Sequence, residues 1–277
     1  RMHRPAAYTL LAEGKYQEEP GPGHLLVRAV DSQPQAAVEL ILDASGSMLQ
    51  RIEGKRRINV AKEVLTEAVR EHIPAGTPVA LRVFGHKEVD ACRTDLEIPL
   101  SPLNPDAAVK KISGIQAMNL ARTPIADSLA AVAGDLKGAK SGAVVLVTDG
   151  EETCEGDPAA VIQSLQDKGF DINLNIVGFA IDDADLAAQF ESWAELGSGE
   201  YFSAENQDGL SEAIEKALRV PFTVYDQGGN EVGAGHVGGQ ALELERGMYN
   251  VLVRTQPQQK FEGVEVLGED QIVLELE

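Results

Sequence analysis

The feature that most constrains this chain is an apolar run that ends in a carboxylate and two hydroxyls. Ala37-Val38-Glu39-Leu40-Ile41-Leu42 carries one charge in six residues, the pattern of a buried strand. Asp43-Ala44-Ser45-Gly46-Ser47 follows at once. The turn leaving the strand therefore offers hard oxygen donors. A cation such as Mg2+ takes oxygen ligands, keeps several waters and needs only one or two carboxylates.

Two later stretches add donors of the same kind. Arg122-Thr123-Pro124-Ile125 puts a hydroxyl at the start of a helical pattern, and Val144-Val145-Leu146-Val147-Thr148 is an apolar strand ending at Asp149. Sites in open α/β sheets form outside the carboxyl ends of the strands. All three segments are thus expected to meet there. Thr123 has a second reading, as a helix N-cap that needs no metal.

Around these stretches, strands alternate with helices. Ile58, Ala61, Leu65, Ala68 and Val69 recur at helical spacing within 57–71. Strands are expected at 79–84, 96–100, 144–148, 172–179 and 200–203. Further helices are expected from Asn104-Pro105, Thr123-Pro124 and Asp157-Pro158, over 186–196 and over 210–218. Trp193 shares a helical face with Leu186, Phe190 and Leu196 and reads as core. This order predicts a doubly wound, mostly parallel six-stranded sheet with helices on both faces over 36–220. After Pro221 the pattern changes to short alternating segments at 222–225, 241–244, 249–254, 261–266 and 272–276, separated by glycine-rich turns. That predicts a small antiparallel β-sandwich over 221–277. Residues 1–35 read as an N-terminal extension with short strands at 8–11 and 25–30, which either extend the main sheet or pair with the C-terminal domain.

Asp43-x-Ser45-x-Ser47, then Thr123, then Asp149 resembles the metal-ion-dependent adhesion site of von Willebrand factor type A (VWA) domains, in a bacterial branch. The likeness runs through DASGSM (43–48), IEGKRRINVAK (52–62), LRVFGH (81–86), RTPIADSL (122–129), VTDGEETC (147–154) and IVGFAI (176–181). It departs at Ala121, where many members have glycine. The C-terminal stretch LELERGMYNVLVR (242–254) is more weakly similar to prealbumin-like β domains.

The resemblance implies that Ser45, Ser47 and Thr123 ligate Mg2+ (or Mn2+ or Ca2+) directly, and that Asp43 and Asp149 do so directly or through water. Only two carboxylates would then face the ion, leaving it electrophilic toward an Asp or Glu of a protein partner. Arg51, Lys55, Arg56 and Arg57 follow the first motif and Glu151 and Glu152 the third, while His86 ends its strand near the same face. Arg51, His86, Glu151 and Glu152 are the expected partner-binding rim. The resemblance also implies an extracytoplasmic protein, periplasmic, secreted or on the cell surface. A Cys92–Cys154 disulfide is expected partly on that ground, against the alternative of two free thiols.

Composition narrows the partners. Net charge is -20, with 17 Lys/Arg against 30 Asp/Glu in 36–220 and three against ten in 221–277. Such a surface disfavours nucleic acid and anionic lipid, which depend on clustered Lys and Arg. No apolar run approaches the ~20 residues of a membrane helix. The chain opens Arg1-Met2-His3 without a signal peptide, so a trimmed chain is expected. An enzyme is not expected: the five histidines fall in no triad motif, Ser47 lacks the G-x-S-x-G elbow and no phosphate-cradling G-x-x-x-x-G-K appears. A metal-free scaffold is the main alternative, and a hydrolase the lesser one.

Overall fold

The computed structural model describes residues 8–10, 16–18, 21–29, 37–139, 141–255, 258–268 and 271–276. The chain divides into two compact units, Ser32–Leu218 on one hand and Arg1–Asp31 with Arg219–Glu277 on the other.

The larger unit is built on a six-stranded sheet. Its strands are β1 (Ala37–Asp43), β2 (Pro78–Phe84), β3 (Thr94–Pro102), β4 (Ser141–Thr148), β5 (Asp171–Phe179) and β6 (Tyr201–Ala204), in the order β6-β5-β4-β1-β2-β3. Every pairing is parallel except β2 with β3, so the sheet is mixed, with one antiparallel edge. Its helices are α1 (Arg57–Glu67), α2 (Pro105–Gly114), α3 (Ile125–Asp135), α4 (Pro158–Asp167), α5 (Ala184–Leu196) and α6 (Gln207–Ala217).

Strand alternation sorts the core onto two faces. Val38, Leu40 and Leu42 of β1 pack with residues of α1, α2 and α6, whereas Ala37 and Ile41 pack with residues of α3, α4 and α5. Trp193 is buried on α5 beside Phe190, with ring centroids 5.5 Å apart. Asn104, Asp157, Asp183 and Asn206 each accept a backbone N–H at the start of a helix, which satisfies donors the first turn leaves over.

Two features of this unit differ from expectation. β3 extends from Thr94 to Pro102, because its ladder with β2 tolerates two register shifts. The first helix changes to a π-turn over Ala68–His72 before Ile73 ends it.

The smaller unit contains a four-stranded antiparallel sheet in the order Glu231–His236, Pro221–Tyr225, Gly247–Val253, Gln259–Val266. It also contains a three-stranded sheet in which Gly23–Ala29 lies between Leu242–Leu244 and Gln271–Leu276. Gly23–Ala29 runs parallel to Gln271–Leu276, so the pairing is not wholly antiparallel. Parallel neighbours need a long connection, and here all of the larger unit intervenes in sequence. Leu25 and Val27 share one buried cluster with Phe222, Val224, Val251 and Val253. Tyr8–Leu10 pairs antiparallel with Tyr16–Glu18 as a separate two-stranded sheet; the expected strand ends at Leu11 and Val30 lie outside the described residues.

The strand Glu231–His236 is not visible as a strand in the sequence, because Gly233 and Gly235 interrupt it. A Cβ at Gly233 would sit 2.7 Å from the Leu242 side chain, and one at Gly235 2.7 Å from the Phe222 ring. The absence of a Cβ at these positions lets the Leu242 and Phe222 side chains lie over the backbone.

Candidate metal centre

Asp43 is the last residue of β1 and Thr148 the last of β4, two adjacent parallel strands, so the first and third motifs leave the sheet side by side. Asp43 is fully buried. One of its oxygens accepts from Ser45 N–H at 2.7 Å and the other from Thr148 Oγ1 at 2.7 Å. Ser45 Oγ lies 3.1 Å from Ser47 Oγ, and Ser47 Oγ donates to Asp149 Oδ1 at 2.5 Å. Four of the five expected ligand residues are thus one hydrogen-bonded group.

The fifth, Thr123, comes in on a segment held from both sides. Met118 N–H lies 3.1 Å from both Ala44 O and Gly85 O, which ties the segment to the first motif. Thr123 N–H donates to Thr153 Oγ1 at 2.7 Å, and Thr153 N–H donates back to Thr123 O at 3.1 Å, which ties it to the third. Thr123 does not cap α3. The helix begins at Ile125 behind Pro124, without a side-chain cap. Glu152 does that work instead: Oε2 accepts from Ala126 N–H at 2.7 Å, and Oε1 from Cys154 N–H at 2.5 Å. The Thr123 residue is buried, yet its hydroxyl makes no hydrogen bond among the described residues.

Charge is concentrated here. Burial, and then the Asp149 carboxylate, push the Asp43 carboxyl up to about 7, against the pull of Thr148 and Ser45. Arg57, at the start of α1, reaches Asp149 Oδ2 with Nη1 at 2.9 Å; its side chain is 14% exposed and that of Asp149 is 0% exposed. Gly85 makes room for this loop. Its φ is +74, and a Cβ there would sit 2.5 Å from Ser45 N.

The expected rim is only partly a rim. Glu151 is exposed, as is Arg51, which hydrogen-bonds Gly54 O within its own short hairpin. Glu152 is occupied with the two backbone donors above. His86 turns inward, its side chain 8% exposed and Nε2 3.0 Å from Glu97 Oε1. Arg57, noted in the sequence only as one of four basic residues, is the cation that touches the site. The one available signal was its place at the first turn of a helix that follows the first motif.

Cys92 and Cys154 form a disulfide with Cα atoms 5.7 Å apart. It joins the loop after β2 to the third motif one residue beyond Thr153. Asp90 strengthens the same corner, because its N–H donates to Leu120 O at 2.9 Å and its carboxylate accepts from Arg122 Nε at 2.8 Å. Among the described residues no three His, Cys, Asp or Glu side chains gather at one point; the donors here are two carboxylates and three hydroxyls.

A doubly wound sheet with this oxygen-rich corner defines a class, and sequence comparison agrees. The von Willebrand factor type A domain model matches residues 38–152, and the chain belongs to that family. It is 34% identical over 199 residues to the uncharacterized protein YwmD of Bacillus subtilis (strain 168), which covers 68% of this chain and 87% of that protein. The fold is similar to that of an aerotolerance-related membrane protein from Bacteroides fragilis NCTC 9343, with TM-score 0.51 and 21% identity over 66% of this chain and 98% of that one. It is also similar to proximal thread matrix protein 1 from the mussel byssus, solved with a zinc-occupied MIDAS motif, with TM-score 0.53 and 18% identity over 69% of this chain and 46% of that one. The two structural likenesses concern the fold. No helix among the described residues is long and apolar enough to cross a membrane.

Proposed function

We propose that this protein is a divalent-metal-dependent binding module, which recognises an acidic side chain of a protein partner outside the cytoplasm. The observation that carries this reading is the chain of short oxygen contacts Ser45–Ser47–Asp149 beside buried Asp43, with the Thr123 backbone tied to Thr153 of the third motif. Neutral hydroxyls grouped with two carboxylates that repel each other suit Mg2+ or Mn2+ and, less tightly, Ca2+. Membership of a family of interaction modules supports the reading, and so does the zinc-occupied motif of the mussel protein.

Ser45, Ser47 and Thr123 would hold the ion, with Asp43 and Asp149 contributing charge directly or through water. Bound there, the metal supplies an electrophilic site for an incoming carboxylate. The chain's own residues do the rest. Thr148 and the Ser45 N–H fix the orientation of Asp43, the Thr153 bonds set the Thr123 segment, and exposed Glu151 discriminates among approaching acidic partners. Among the described residues, neither Ser45 nor Ser47 has a histidine as a hydrogen-bond partner, so the geometry lends no support to a serine hydrolase.

One observation favours a second reading, a metal-free scaffold of an extracytoplasmic complex. Arg57 already places a positive charge on Asp149. Affinity capture from the native host, with and without chelator, separates the two. The adhesion reading predicts a partner retained with Mg2+, released by chelator and absent with Asp43→Ala. Retention independent of metal would favour the scaffold and contradict the adhesion reading.

A further inference from the structure

The larger unit carries a groove whose charge is opposite to that of the whole protein. It lies between the exit of β2, β3 and α2 and has a volume of about 740 Å³. Lys87, Lys110 and Lys111 line it, and Glu97 is the only carboxylate among its lining residues. Lys87 is also paired with Asp95, 3.4 Å away and outside the lining, so Lys110 and Lys111 carry the local excess of positive charge in a chain of net charge -20.

The groove already holds one carboxylate, its own. Glu97 Oε2 accepts from Lys111 Nζ at 2.9 Å, while Oε1 contacts Lys87 Nζ and lies 3.0 Å from His86 Nε2. These groups are not exhausted. Lys110 is exposed and makes no ion pair or hydrogen bond among the described residues. Lys111 spends one of its three donors on Glu97. His86, with its side chain 8% exposed, lines the groove and has a buried Nδ1 without a partner.

The groove also adjoins the metal centre along the backbone. His86 follows Gly85, and Gln116 at the groove's edge lies two residues before Met118. The Met118 N–H reaches both Gly85 O and Ala44 O of the first motif.

We propose that this groove is a second binding surface, which takes the carboxylates of an acidic stretch of polypeptide. That the stretch belongs to the partner anchored at the metal rests on the function proposed above; the groove's own affinity does not. Ammonium groups in a concave, partly apolar site attract anions and raise association rates in a salt-dependent way.

The test uses the full chain and a fluorescein-labelled peptide of ten glutamates, followed by anisotropy in chelator at about 50 mM salt. The wild type is expected to bind despite its overall charge. The Lys110→Glu/Lys111→Glu double variant is expected to lose at least tenfold, and Lys110→Ala a few-fold, while calorimetric Mg2+ affinity stays unchanged in both. No peptide binding by the wild type, or equal binding by the variants, overturns the groove. So does capture by phosphatidylglycerol vesicles without peptide binding. If the wild type fails to bind Mg2+, the metal reading falls, and the chelator measurement still decides the groove.

Discussion

Arg57 Nη1 lies 2.9 Å from Asp149 Oδ2, on the carboxylate whose other oxygen accepts from Ser47 at 2.5 Å. One carboxylate thus serves both a protein cation and the proposed metal position. In the absence of metal this pair keeps a buried charge from standing alone, and removing one partner of such a pair costs about 3–5 kcal/mol. With metal present, the guanidinium repels the incoming ion. Arg57→Gln is therefore expected to lower the melting temperature in chelator, to recover much of that loss in saturating Mg2+, and to bind Mg2+ up to about tenfold more tightly. Calorimetry and thermal melts with and without Mg2+ check this. Equal destabilisation in both conditions with unchanged Mg2+ affinity would show that Arg57 acts only structurally.

The Cys92–Cys154 bridge closes a loop of 62 residues next to the Thr123–Thr153 contact. The chain-entropy model gives roughly 4 kcal/mol for a loop of that size. Cys92→Ser/Cys154→Ser is expected to lose about 2–4 kcal/mol in urea denaturation and to weaken Mg2+ binding a few-fold, because Thr153 then holds Thr123 less firmly. A loss under about 1 kcal/mol with unaltered metal affinity would mean that hydrogen bonds alone set this corner.

Glu39 sits in the middle of β1 with neither oxygen hydrogen-bonded, 3.7 Å from Arg82, whose Nε is engaged with Asp135 at 2.6 Å. Burial, and then the Asp135 carboxylate, push its carboxyl up to about 9, against the attraction of Arg82. Between the ordinary value of 4.5 and about 9 the folded chain keeps a proton that the unfolded chain has released. Stability therefore falls as pH rises through that window. Wild type is expected to lose on the order of 2–4 kcal/mol between about pH 5.5 and about pH 8.5, and Glu39→Gln to reduce that slope, most clearly above about pH 7 where Asp43 no longer contributes, without loss at neutral pH. Denaturant titrations at the two pH values decide it, and parallel slopes for the two proteins would contradict it.

The parts of this structure that repeat a local rule were readable from the residues. Continuous apolar runs at 37–42 and 144–148 became paired central strands, and Asn104-Pro105 and Asp157-Pro158 became capped helix starts. The Thr123-Pro124 start obeyed the same rule locally and broke it in the fold. Glu152, far along the chain, reaches the first turn of α3 and displaces the threonine from that role. Glu39 looked like a lone charge in a strand, because the Arg82 near it, and the Asp135 that Arg82 binds, come from β2 and α3. His86 looked like a rim residue, and only the register of β3 shows that Glu97 draws it inward. What escaped the sequence in each case is a tertiary contact made by a side chain of another element.

Thr123→Val provides the most direct test of the metal centre. The hydroxyl it removes makes no hydrogen bond among the described residues, and the Thr153 contacts go to the backbone, which valine keeps. The account predicts a stability change under about 1 kcal/mol in chelator, together with at least a tenfold loss of calorimetric Mg2+ affinity relative to wild type. Unchanged Mg2+ affinity in this variant, or no Mg2+ binding by the wild type, would contradict it.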